Sequence, residues 1–172
     1  SPLGYRIAEQ FGLPVVAPRP ALVPLTLQPD ELAIYKELAG MAFDAVAECG
    51  AGHFRENLLF THRGLSGPVI LQVSSYWQAR DYGGDDGGSQ ITINLFPAQD
   101  VRQWLAEHAR SKALLGNLLA ERLPRRFAHA WCDARNWNRP TNQFNGKELD
   151  AIATALAGWR ISPDGTLGYA KA

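Results

Sequence analysis

The residues of this chain best suited to chemistry stand together in the run Thr61-His62-Arg63-Gly64-Leu65-Ser66-Gly67, with Pro68 opening a helix-like segment directly after it. A guanidinium beside the unpaired N–H groups of a helix start suits a carboxylate or a phosphate. The His62 imidazole changes charge near neutral pH, which suits proton transfer. Gly64 and Gly67 let the backbone approach a partner closely. A plainer reading stands beside this one: Thr61, His62 and Ser66 satisfy the turn by local hydrogen bonds, while Arg63 pairs with a surface carboxylate. A Ser–His nucleophile is disfavoured, because Gly64-Leu65-Ser66-Gly67 lacks the GxSxG elbow and no acid partner is assignable.

A second feature is electrostatic. Between Val101 and Pro140 stand eight cations (Arg102, Arg110, Lys112, Arg122, Arg125, Arg126, Arg135, Arg139) against Glu107, Glu121 and Asp133, a formal +5. Residues 1–100 carry six cations and eleven carboxylates, a formal −5. A basic region with Trp131 and Trp137 nearby could bind nucleic acid or an anionic cofactor. More often such a region is a solvated face with its tryptophans in the core; a third reading is that it docks the negative part of the same protein or a partner. His53, His108 and His129 are isolated, with no metal-ligand spacing; His108, on an apolar helix face, reads as a hydrogen-bonded core histidine. The Gly- and Asp-rich stretch from Gln78 to Ser89 reads as a solvated loop, since its spacing does not fit a calcium loop. No metal site is expected.

These groups need elements to hold them. Residues 4–11 read as a short helix stopped by Gly12. Val15-Val16 and Ala21–Leu27 read as irregular or edge strands, punctuated by prolines. Asp30 is placed to cap a helix reaching Leu38. Alternation predicts strands over Met41–Glu48, Phe54–Phe60 and Gln90–Phe96, with a buried helix from Pro68 to about Tyr76. From Ala98 the period changes, and apolar positions mark four helices around Val101–His108, Leu114–Leu119, Pro124–Trp131 and Leu149–Ala157; Trp159–Ser162 is extended again. The fold class is therefore α+β: a distorted antiparallel barrel or sheet with short helices (1–97 and 161–172) plus an inserted all-helical part (98–160).

The chain of 172 residues suits one domain. Its 17 basic and 17 acidic side chains cancel, so no global charge pulls it to nucleic acid or an anionic membrane. Cys49 and Cys132 stand far apart, which suits a reducing compartment. No membrane-length apolar run and no leader pattern occur, so a cytoplasmic location and no membrane partner are expected.

Read together, Glu56–Ser75, Gly4–Gly12, Arg19–Leu25 and Gly165–Ala172 resemble the insert domain of a bacterial flavoprotein family, the NAD(FAD)-utilising dehydrogenase-like or aminoacetone-oxidase-like FAD-binding proteins. The resemblance implies that residues 1–172 form an insert interrupting an FAD-binding domain. It implies FAD in the full-length protein, NAD(P)H as electron donor, and the host FAD domain as partner. The insert then caps the substrate side, with Thr61, His62, Arg63, Gly64, Ser66 and Gly67 facing flavin or substrate. No GxGxxG, Walker or HExxH motif occurs, so the fragment itself is expected to bind no cofactor and to be inert. Nucleic acid is not expected as a partner, although a nucleic-acid- or protein-binding module using residues 101–140 is the alternative.

Overall fold

The computed structural model describes residues 2–79 and 90–168. The chain opens with helix α1 (Leu3–Gln10), which has no buried residue and ends at Gly12. Residues 13–24 form no strand; β1 is only Leu25–Thr26. Prolines at 14, 18, 20 and 24 remove the N–H donors that a longer ladder needs. Helix α2 (Pro29–Tyr35) follows, extended by a 3-10 turn over Lys36–Leu38. Its N-cap is Gln28 rather than Asp30. Pro29 occupies the first helical position, where its missing N–H costs nothing, and Asp30 lies within the first turn.

Strands β2 (Ala42–Cys49) and β3 (Gly52–Thr61) form a long hairpin, followed by β4 (Gly64–Ser66) and helix α3 (Pro68–Ala79). The expected loop from Gln78 to Ser89 lies, over residues 80–89, outside the described residues. Strand β5 (Ile91–Asn94) leads into helices α4 (Val101–Glu107), α5 (Leu115–Leu119), α6 (Arg125–Asp133) and α7 (Gly146–Ala157). The chain then returns as β6 (Trp159–Ile161) and β7 (Gly165–Thr166). Two of the four helices are capped by side chains. Asp100 accepts from the N–H groups of Arg102 and Gln103 at 2.8 and 3.2 Å, and Asn145 with Glu148 forms a reciprocal capping box.

The strands make one antiparallel sheet in the order β6-β5-β2-β3-β4-β1-β7. It is open, with three- and two-residue strands at its edges, which leaves little backbone free to pair with other chains. The β2–β3 register (Phe43↔Leu58, Ala47↔Phe54) puts Phe43, Ala45, Ala47, Phe54, Leu58 and Phe60 on one face. That face carries the core. Val69, Ile70, Val73 and Trp77 of α3 are buried, and Phe127 of α6 sits among Phe43, Phe60, Tyr35 and Trp159. The opposite face is polar, with Arg55 paired to Asp44 at 2.8 Å and His53 to Glu48 at 2.6 Å. Aromatic packing between α6 and the sheet joins the helical part to the strand-rich part. Among the described residues no helix is long and apolar enough to cross a membrane.

Candidate nucleic-acid interface and the His62–Arg63 hairpin

The run Thr61–Gly67 is not one loop. Thr61 pairs with Gly64, leaving His62 and Arg63 as a two-residue hairpin turn, and Gly64–Ser66 forms β4 between β3 and β1. The Thr61 hydroxyl accepts from the N–H groups of Arg63 and Gly64 (3.3 and 3.1 Å) and donates to the Gly64 carbonyl (3.2 Å). Thr61 therefore closes the turn. The glycines serve close backbone packing within the chain: a Cβ on Gly64 would lie 2.3 Å from the Leu25 oxygen, and one on Gly67 2.5 Å from the Asn57 oxygen. Both have positive φ, +151° and +87°. Ser66 is half-buried in β4 opposite Leu59. His62 and Arg63 are exposed, and neither side chain has a partner among the described residues. The six positions run from the end of β3 through the turn and along β4, so Arg63 and the start of α3 at Pro68, five residues on, stand roughly 16 Å apart at about 3.3 Å per residue.

The eight cations of residues 101–140 divide into two groups. Arg102 pairs with Asp150, and Arg126 donates to the Glu37 carbonyl. Arg135 stacks 4.2 Å over the Trp131 ring and donates to the Tyr35 hydroxyl; Arg139 pairs with Glu148 and lies 4.2 Å over Phe144. These four brace the fold. Arg110, Lys112, Arg122 and Arg125 are exposed and have no side-chain partner among the described residues. They flank both ends of α5: the first two precede it, and the last two lie in and just after the turn into α6. Trp131 is fully buried with Trp137 packed 5.4 Å away, so the tryptophans belong to the core rather than to a stacking surface.

His108 is half-buried, with Nδ1 2.7 Å from the Trp104 carbonyl, the hydrogen-bonded arrangement expected of it. Between α2 and α6, burial raises the Glu31 carboxyl above its ordinary range, with Arg135 opposing, and raises the Tyr35 phenol in the same way. Burial, aided by Asp133, pushes the Cys132 thiol up to about 12, so it stays protonated and unreactive. Among the described residues no group of three His, Cys, Asp or Glu side chains is placed to hold a metal.

A cleft of about 360 Å³ lies where β2 and the end of β5 meet the α5–α6 turn, lined in part by Phe43, Phe96, Gln99 and Arg122. Only Arg122 carried a signal in the sequence, as one cation among eight. The residues described do not fit a dinucleotide: the sheet is wholly antiparallel, and no parallel strand–turn–helix unit offers a phosphate cradle.

A family model described as "HI0933-like protein barrel and H2TH domain" matches residues 19–172. Among curated proteins, the chain is 42% identical over 176 residues to a ribosomal RNA dihydrouridine synthase of Escherichia coli (strain K12). It is 32% identical over 177 residues to the protein of that name in Haemophilus influenzae. Both alignments cover 100% of this chain and 42% of the relative, so the chain spans less than half the length of the relatives it matches. They are named for ribosomal RNA dihydrouridine synthesis, not for aminoacetone oxidation. This overturns the expectation that nucleic acid is not a partner, because relatives named for RNA and an H2TH module point the other way. The zero net charge of the chain hides this, because a −5 strand-rich half offsets a +5 helical region. The match over nearly the whole chain establishes that it belongs to the HI0933-like barrel and H2TH domain family.

Proposed function

We propose that this chain is the RNA-facing domain of a flavin-dependent oxidoreductase that forms dihydrouridine in ribosomal RNA, with FAD held by the remainder of a longer protein. The observation that carries this reading is a set of four exposed cations without a partner among the described residues, Arg110, Lys112, Arg122 and Arg125, on the helical part of a chain whose relatives are named for that RNA chemistry. Cations free of internal partners attract phosphates and release their counterions on binding. Redox chemistry belongs to the flavin. The work of this chain is to grip RNA, orient it and exclude water from the substrate side.

Two further features support a covering role. Leu3, Tyr5, Ile7, Phe11, Leu13, Val16 and Leu22 are all exposed within the first 22 residues, and Val16 is 90% exposed. So much apolar surface in one segment is the mark of a contact with another folded unit, here the flavin-binding part. In this reading Thr61, Gly64 and Gly67 set the backbone of the hairpin and the start of α3. His62, Arg63 and Ser66 are its substrate-side groups.

The test uses the full-length enzyme carrying Arg110→Glu and Arg125→Glu together. Flavin absorbance of the purified protein should be unchanged, while dihydrouridine in ribosomal RNA should fall to background in cells relying on the variant. Undiminished dihydrouridine would sink the proposal.

A further inference from the structure

Resting on that reading, we infer that the cleft between β2 and the α5–α6 turn is a nucleobase pocket, which takes one unstacked uracil-type base of the bound RNA beside the Arg122 guanidinium.

The walls are apolar and rigid. Phe43 is held by Phe127, with ring centroids 4.9 Å apart, and Phe96 by Trp104 at 5.4 Å. The volume of about 360 Å³ falls within the range of small-ligand clefts, roughly 300–1,000 Å³. Flat apolar walls accept the faces of a base, and stacking of this kind is tolerant of sequence.

The polar groups supply an edge. Gln99 lines the cleft, and its Nε2 is shielded from solvent with no acceptor among the described residues. A buried amide without an acceptor is costly, and buried polar groups are normally paired. The last torsion of a glutamine side chain is broad, so rotation about it presents this NH₂ to the cleft. This donor complements the imide edge of uracil, whose carbonyl oxygens flank N3, so a methyl group on N3 blocks its approach.

The charge at the rim fits the same ligand. Arg122 has no partner among the described residues, and it belongs to the set of free cations that includes Arg125 three residues on. A base in the cleft puts its own phosphate within the field of these side chains. An apolar peptide would leave both Arg122 and the Gln99 amide unmatched.

The experiment measures fluorescence anisotropy of the protein with a labelled short oligouridylate, an abasic ribose-phosphate chain of the same length, and an N3-methyluridine oligomer. Oligouridylate is expected to bind about tenfold more tightly than either analogue. Gln99→Leu, which removes the donor and keeps the shape, is expected to abolish the difference between oligouridylate and the N3-methyluridine oligomer while thermal melting stays at or above the wild-type temperature. Arg122→Ala is expected to weaken the oligouridylate and the abasic chain by similar factors. Equal binding of oligouridylate and abasic chain by the wild type overturns the pocket and leaves the RNA-facing role intact. Absence of binding to both at low salt overturns the pocket and that role together. A preference for oligouridylate over the N3-methyluridine oligomer that survives Gln99→Leu also overturns the pocket.

Discussion

Replacing Arg110, Lys112, Arg122 and Arg125 together by alanine should flatten the salt dependence of RNA binding. In single strands each neutralised phosphate contributes about 0.7 to the slope of log affinity against log salt. Four free cations therefore set a wild-type slope near −2.8, so raising salt from about 50 to about 200 mM should cost roughly 50-fold in affinity. Arg125→Ala alone leaves three contacts, a slope near −2.1 and a loss of roughly 18-fold over the same range. Arg102→Ala serves as control, because Arg102 is already spent on Asp150 and Thr154. It should lower stability slightly and leave the slope unchanged. The assay is anisotropy of a labelled single-stranded ribosomal RNA fragment at three salt concentrations. A quadruple variant with the wild-type slope would refute the assignment of these four side chains to phosphate. A control variant as flat as the quadruple one would refute the division into free and braced cations.

Phe127→Ala should cost about 3–5 kcal/mol in urea unfolding, since a fully buried ring among four aromatic neighbours leaves a cavity that the sheet cannot close. Asn145→Ala should cost about 1 kcal/mol by removing half of the α7 capping box. Glu31→Gln should stabilise the protein at neutral pH. The folded-state carboxyl titrates above its unfolded value of 4.5, so its cost is absent below that value and accumulates as pH rises past it. The gain should therefore vanish in melts below about pH 4; a gain that persisted there would show that burial of the charge is not the cause.

Long elements were legible because each repeats its signal several times. Alternation in β2 and β3, and the 3.6-residue period of α7, survive any tertiary context. β4 was read as loop because three residues contain no period, and its strand character comes only from hydrogen bonds to β3 and β1. The same holds for residues 15–24, whose apolar character suggested strands that their prolines deny. His62 and Arg63 do form a turn, but one that joins two strands rather than the expected strand and helix, and the six positions do not converge on one spot. The cleft was invisible because Phe43, Phe96 and Gln99 come from separate stretches and carry no local motif.

Charge sign, helix count and the four-helix excursion from the sheet follow from residue order alone, because composition and periodicity are local properties. Which arginines are free is a different matter. Arg126 and Arg125 are neighbours in the chain, yet one is tied to the Glu37 carbonyl 89 positions away and the other faces solvent. Only the packed fold decides that, since a guanidinium is committed or available according to what distant segments bring within about 3 Å of it.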